Sequence, residues 1–239
     1  MDAGKIAFPE APEKEKSAAP PASPEAVHTD VFTPPSFLPR HRTGYLIAKR
    51  AFDIVFSVLL LILLSPVMLI VPLLIVLDSR GPIFYSQKRI GKGGKPFNIY
   101  KFRSMINNAD SLIQSFSPEQ RAEYEVNFKL SDDFRVTRVG KVIRRTNIDE
   151  LPQLVNILFG QLSFVGPRPV VEEELSKYGS RKDLFLCAKP GLTGYWQVNR
   201  TPDTTYEERI EMELFYVENR TFLMDIGLLF KTLAVVVRG

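Results

Sequence analysis

The feature that most constrains this chain is an uncharged apolar run, Ile54 to Leu77 (IVFSVLLLILLSPVMLIVPLLIVL), interrupted near its middle by Ser65-Pro66. Roughly 24 residues at about 1.5 Å per residue give about 36 Å of helix, enough for a hydrocarbon core of about 30 Å with some tilt. Length alone favours a single span. Pro66, however, has no N–H to offer and crowds the carbonyl of Ile62, while the Ser65 hydroxyl is able to satisfy a freed backbone group, so a sharp bend is tolerated there. Flanking charge discriminates further, because cytoplasmic flanks carry the excess of Lys and Arg. Arg40, Arg42, Lys49 and Arg50 precede the run, and Arg80, Lys88, Arg89, Lys92 and Lys95 follow it. Basic flanks on both sides favour a re-entrant helical hairpin, both ends cytoplasmic, over a true span. A signal peptide fits badly, since the run begins about fifty residues in and is too long for an h-region.

Composition narrows the chemistry. The 239 residues leave room for one domain beyond a hairpin and a tail. The formal net charge is +4, and attraction to anionic headgroups explains it as easily as nucleic acid does. Cys187 stands alone, and the only histidines, His28 and His41, precede the apolar run. Disulfides, thiol–imidazole nucleophiles and Cys/His zinc sites are thereby excluded from the core. What remains is chemistry by carboxylates, hydroxyls, Lys, Arg or a metal held by oxygen.

Three segments follow. Residues 1–45, rich in Pro, Ala, Ser and Glu, read as a disordered tail. Residues 46–79 form the re-entrant helix, opened by Lys49, Arg50 and Asp53, whose spacing lets Asp53 pair with the basic residues as an interfacial anchor. Residues 80–239 form a cytoplasmic domain. Within it, Pro82 to Arg89 and Pro96 to Phe102 alternate apolar and polar residues around Gly91-Lys92-Gly93-Gly94-Lys95, which predicts a β-hairpin. No helical pattern opens after these glycines, which argues against a phosphate loop. Aromatic and basic residues interleave on the ribbon, but the basic residues of the chain sit mostly beside the apolar run, so no nucleic-acid partner is expected. Ser104 to Leu130 is polar and helical in character, with a break and restart at Ser117-Pro118-Glu119, and a basic stretch follows from Arg135 to Arg145. The expected fold class is α+β: a membrane-embedded hairpin plus a small, mostly helical catalytic domain with a β-hairpin.

Asn147 to Gly160 reads as one short helix, with Asn147 as N-cap, Glu150 at the capping-box position and Gly160 as stop. Acidic residues suit a helix's first turn through its dipole alone, so Asp149 and Glu150 have a structural reading beside a catalytic one. Arg144 and Arg145 just upstream, and Pro152 just downstream, raise the catalytic one. A lone carboxylate repels a phosphate, whereas carboxylate plus arginine is the combination phosphoryl chemistry needs. Arg168, held between Pro167 and Pro169, suits bidentate phosphate or carboxylate recognition, with a structural salt bridge as the alternative. Lys189 to Asn199 reads as a turn followed by a short strand at Trp196–Asn199, lining a nucleotide pocket or simply packed. Thr221 to Leu233 is too short and too interrupted by charge to span a bilayer, and both an interfacial and a core-packing helix stay open.

Taken in order, Lys49-Arg50-x-x-Asp53, Ser65-Pro66, Phe102-Arg103-Ser104-Met105, Asp149-Glu150-Leu151-Pro152-Gln153, Val165-Gly166-Pro167-Arg168-Pro169 and Pro190-Gly191-Leu192-Thr193-Gly194 resemble the bacterial sugar transferases. More narrowly, they resemble the monotopic phosphoglycosyl transferases that start exopolysaccharide and glycoconjugate synthesis. The resemblance runs from residue 46 to the end. It implies an enzyme that moves a sugar 1-phosphate from a UDP-sugar donor to polyprenyl (undecaprenyl) phosphate, releasing UMP, with Mg2+ as cofactor. It further implies Asp149 as the nucleophile of a covalent phosphosugar intermediate, Glu150 as metal-binding partner, and Arg144, Arg145 and Arg168 as phosphate-binding residues. The expected location is the bacterial inner membrane, with inner-membrane lipid around the hairpin and the catalytic domain on the cytoplasmic face. The Trp196–Asn199 segment and the stretch from Tyr206 to Leu233 look more like members acting on hexose donors, so galactose or glucose is expected. A membrane-anchored scaffold without chemistry is the competing reading, and the oligomeric state stays open, a homodimer included.

Overall fold

The computed structural model describes residues 43–127, 130 and 132–238, so nearly all of the expected tail, together with Arg40, Arg42 and both histidines, lies outside the described residues. Helices α1 (Thr43–Leu63) and α2 (Ser65–Asp78) carry the apolar run and meet at an angle of 61°. At the break the Ser65 hydroxyl donates to Ile62 O at 2.8 Å, the carbonyl that Pro66 has no N–H to answer. Leu64 N–H still reaches Leu60 O and Met68 N–H reaches Leu64 O, so helical bonding resumes on either side. Among the described residues no single helix is long and apolar enough to cross a membrane; the bent pair together passes that test by length and composition. Ile47, Val55, Ile62, Leu69 and Leu77 are each at least 65% exposed along it, a stripe that water alone disfavours.

The hairpin of β1 (Phe84–Ile90) and β2 (Pro96–Phe102) forms as expected, antiparallel with Phe84 opposite Phe102 and Ile90 opposite Pro96. Its turn places Gly93 and Gly94 at φ +68° and +75°, where a side chain is disfavoured. After a 3-10 turn at Ser111–Ser115, α3 (Pro118–Asn127) restarts where expected. Ser117 and Gln120 exchange capping bonds of 3.0 and 3.2 Å at its head. The chain then runs through α4 (Arg138–Arg145), α5 (Gln153–Leu158), β3 (Ser163–Val165), α6 (Glu172–Leu175), α7 (Lys182–Leu186), β4 (Gly191–Thr193), α8 (Tyr195–Asn199), α9 (Tyr206–Asn219) and α10 (Phe222–Arg238). The α+β class holds. Leu154, Ile157, Leu162, Val165, Val170, Leu214 and Val217 form the main core beneath α1, and a smaller cluster of Val71, Ile75, Phe102 and Ile143 joins α2 to β2 and α4.

Two local expectations are corrected. Asn147 is not an N-cap: it sits at φ +56° with no side-chain cap bond, and a cap requires extended backbone. Residues 147–160 therefore divide into a left-handed corner, a 3-10 turn at Ile148–Glu150 and the separate α5, which ends at Gly160 with φ +78°. Trp196–Asn199 is helix rather than strand. Asn199 Nδ2 donates to Tyr195 O at 2.7 Å and Gln197 Nε2 to Leu192 O at 3.1 Å, so the amides serve a tight local turn whose apolar residues were too few to settle the period.

The strand is instead β4, paired in parallel with β3, Ser163 opposite Gly191 and Val165 opposite Thr193. A Cβ on Gly166 would stand 2.3 Å from Lys189 O, and one on Gly191 2.1 Å from Gly166 N. The Val165-Gly166-Pro167 and Pro190-Gly191 motifs are thus two halves of one backbone junction.

A third correction concerns Lys49, Arg50 and Asp53, which do not pair with one another as a headgroup anchor. Asp53 is buried and accepts from Ser163 Oγ at 3.0 Å and Phe164 N at 3.1 Å. Arg50 donates to Ile157 O and Leu158 O, both at 2.7 Å, capping the C-terminus of α5, and Lys49 binds Asp225 of α10 at 2.7 Å. All three lie on the protein-facing side of α1. The exit of α2 is clamped likewise: Arg103 donates to Ser79 O and Arg80 O, and Asp78 Oδ2 accepts from Val139 N at the start of α4. Helix α10 takes the core-packing role, burying Asp225 and Leu228, and leaves Leu223, Phe230 and Leu233 exposed.

Candidate active site

Asp149 and Glu150 occupy the 3-10 turn between α4 and α5, where left-handed Asn147 reverses the chain and its carbonyl accepts from Glu150 N at 3.2 Å. Strand β2 packs against this turn and brings Lys101 Nζ to 2.5 Å from Glu150 Oε1. Asn156, fully buried in α5, fixes the arrangement. Its Nδ2 donates to Asn98 O and Gln161 Oε1, both at 2.7 Å, and its Oδ1 accepts from Tyr100 N at 3.1 Å. One amide side chain thereby satisfies the open edge of β2 and sets Lys101 beside the acidic pair.

Asp149 is 8% exposed, and burial pushes its carboxyl up to about 6; Lys101 pulls it down, Glu150 raises it and Arg144 lowers it. At neutral pH it is ionised yet poorly solvated, the condition of a usable carboxylate nucleophile. Arg144, half buried in the last turn of α4, acts on the pair electrostatically, whereas Arg145 points to solvent with no contact to it among the described residues. The two adjacent arginines sit on different faces of one helix, so only one reaches the site.

Arg168 lies beside a cluster of cations and aromatic rings. Its guanidinium is 5.8 Å from the Trp196 ring, while Arg209 is 4.7 Å from Trp196 and 4.9 Å from Tyr206. Among the described residues Arg168 makes no salt bridge; only its backbone N–H donates, to Glu213 Oε1 at 3.2 Å. Burial, reinforced by Arg209, pushes the Arg168 guanidinium below its usual value, and Glu150 is within electrostatic reach of it. Arg168 Nε, Arg89 Nε, Trp196 Nε1 and the Tyr206 hydroxyl are all buried without a hydrogen-bond partner. Four such groups around one cationic cluster are able to serve an anionic, hydrogen-bonding ligand. Next to them a cavity of about 440 Å3 opens, lined by Trp196, Arg200, Thr201, Pro202 and Thr204.

Among the described residues no group of three His, Cys, Asp or Glu is arranged to hold a metal. Mg2+ ordinarily takes one or two carboxylates and completes its shell with water and substrate phosphate. Asp149 and Glu150 fit that use, with one Glu150 oxygen engaged by Lys101.

Sequence reasoning missed Lys101, Asn156, Arg89, Arg209 and Tyr206. Lys101 carried a signal: it shares the parity of buried Phe97 and Ile99 on β2, and a lysine on a core-facing strand position needs a partner. Asn156 and Arg209 carried weaker ones, as polar residues on the apolar faces of α5 and α9.

The sequence matches the bacterial sugar transferase family over residues 44–239. It is 47% identical over 193 residues to the undecaprenyl-phosphate galactose phosphotransferase of Salmonella typhimurium strain LT2, covering 80% of this chain and 40% of that protein. It is 45% identical over 193 residues to the exopolysaccharide production protein ExoY of Sinorhizobium fredii, covering 80% of this chain and 85% of that protein. A third relative, the UDP-glucose:undecaprenyl-phosphate glucose-1-phosphate transferase of Klebsiella pneumoniae, is 38% identical over 197 residues, covering 78% and 39% respectively.

Proposed function

The chain belongs to the bacterial sugar transferase family, and from that premise we propose that it transfers a hexose 1-phosphate from a UDP-sugar to a polyprenyl phosphate, releasing UMP and starting exopolysaccharide or glycoconjugate synthesis. The observation that carries this reading is a buried Asp149 carboxylate, raised to about 6, beside Lys101, Arg144 and Glu150. An Asp149 oxygen attacks the phosphorus that bears the sugar, and the bond from that phosphorus to the UMP oxygen breaks, UMP leaving with the electron pair. A phosphate oxygen of the lipid then attacks the same phosphorus and the carboxylate is released. The lipid phosphate is already an anion, so its attack needs no histidine base. Arg168, Arg89 and the unpartnered Trp196 and Tyr206 groups bind the donor's diphosphate and nucleoside, while Lys101 and Arg144 offset charge at the attacked phosphorus. Mg2+, held by Glu150 with Asp149, would supply further neutralisation of the diphosphate.

The bent helix pair supports membrane attachment from the cytoplasmic face of the inner membrane. A polyprenyl phosphate keeps its phosphate at headgroup height, and α2 exits directly onto α4, whose far end carries the acidic pair. Galactose and glucose appear in the names of the relatives described above, which favours a hexose donor. The test is intact-protein mass after mixing the full chain in detergent with Mg2+ and a panel of UDP-sugars, without lipid acceptor. A sugar-phosphate increment on wild type and not on Asp149→Asn, with matching UMP release, supports the covalent route. UMP release that requires lipid, with no increment, replaces it by direct transfer, and silence in both assays refutes the enzyme.

A further inference from the structure

A second basic site lies at the opposite end of α5 from the acidic pair. There a cavity of about 120 Å3 is lined by Lys49, Arg50, Lys92, Lys189 and Arg220, with Leu46 among its apolar residues. The carboxylate in the lining, Asp53, is already engaged by Ser163 and Phe164. Lys49 is balanced by Asp225, but Arg50 donates to the neutral carbonyls of Ile157 and Leu158. Lys92 is exposed and Lys189 half buried, and neither ammonium makes a hydrogen bond or ion pair among the described residues. Burial, and after it Arg50, pushes Lys189 below its usual value, as expected for a cation held among cations. Positive charge therefore exceeds negative around a cavity with room for a phosphate group, and such an excess is relieved by an anion.

The position of the cavity narrows the choice of anion. Leu46, Lys49 and Arg50 lie on α1 within two turns of Ile54, where the uncharged run begins, and Leu46 and Ile47 are 42% and 65% exposed beside them. We propose that this cavity binds the phosphate of an anionic phospholipid headgroup, the acyl chains leaving over Leu46 and Ile47. The site is separate from the acidic pair and clamps the entry of the bent helix to the catalytic domain. It rests on the membrane reading given above.

The test is native mass spectrometry of the full chain released from mild detergent, titrated separately with phosphatidylglycerol, phosphatidylcholine, inorganic phosphate and polyprenyl phosphate. Wild type retains one phosphatidylglycerol in preference to phosphatidylcholine, and K92Q/K189Q weakens that retention roughly thirty-fold, about 2 kcal/mol at 1.4 kcal/mol per tenfold. K92Q alone, at an exposed turn position that does not endanger folding, weakens it about five-fold. Equal retention of both lipids overturns the proposal, as does phosphatidylglycerol retention that neither variant changes. Saturation by inorganic phosphate alone assigns the cavity to a soluble anion, and displacement by equimolar polyprenyl phosphate assigns it to the acceptor; either also overturns it. In a parallel arm, wild type that fails to enter phosphatidylcholine nanodiscs overturns the membrane reading together with the lipid site.

Discussion

Replacing Asp149 by Asn is expected to remove activity and stabilise the fold, with the stability gain depending on pH. Burial raises the Asp149 carboxyl from 3.8 to about 6. That difference of about 2.2 units, at 1.36 kcal/mol per unit, is about 3 kcal/mol. Because the folded value is the raised one, the folded state holds the proton more tightly. The stability of the protonated form is fully present below the unfolded value and is lost as pH rises through about 6. At pH 8 the wild type therefore bears the whole cost of a charged, desolvated carboxylate, whereas Asn resembles the neutral acid at every pH. The advantage of the variant is about 3 kcal/mol at pH 8 and about 1 kcal/mol at pH 4.5. For a domain of this size that is a rise in Tm of about 6–12 °C at pH 8. The assay is thermal unfolding of the full chain in detergent without divalent cation, followed by Trp196 fluorescence at both pH values. A variant that melts below wild type at pH 8, or whose advantage does not shrink toward pH 4.5, refutes the assignment of burial as the dominant influence on Asp149.

Lys101→Met removes the largest influence that lowers Asp149. The rising limb of kcat/KM against pH should move above its wild-type position near 6, while the one-third exposure of the ion pair holds the stability change to about 1 kcal/mol. A limb that stays in place would detach Lys101 from the carboxylate. Gly166→Ala drives a methyl to 2.3 Å from Lys189 O and should cost about 3 kcal/mol or more, read as loss of folded protein on expression or a lowered denaturation midpoint. Arg50→Ala leaves the last carbonyls of α5 without their donor, an expected loss of about 2–3 kcal/mol by chemical denaturation. Arg168→Ala should raise the KM for the UDP-sugar about tenfold or more in a coupled UMP assay, and Arg145→Ala should leave it unchanged; the reverse ranking would place the donor elsewhere.

Short-range chemistry is written along the chain. The bend follows from proline's missing donor and serine's spare one, the β-hairpin from alternation around glycines, and the restart of α3 from Ser117-Pro118. The acidic pair stood out because histidine and paired-cysteine chemistry were excluded and because Arg144 and Arg145 stand just upstream of two adjacent carboxylates. Proximity across the fold is another matter. Lys101 and Glu150 are 49 positions apart, and Arg50 lies 107 positions from the carbonyl it caps. Neither pairing follows from local pattern, because each depends on which faces of β2, α1 and α5 are packed together. The Lys49, Arg50 and Asp53 spacing looked like a self-contained surface network, and only the burial of α1 against β3, α5 and α10 sent each side chain to its own partner. Likewise the adjacent Arg144 and Arg145 were equal candidates by sequence, and the rotation of about 100° per helical residue separated them once α4 was docked. The sequence alone determined the segment that bends, the residues able to do chemistry and the family of the chain. Tertiary packing decided which charges meet, which is why the raised pKa of Asp149 and the cationic cavity at the C-terminal end of α5 appear only in the folded molecule: desolvation is a property of neighbours in space.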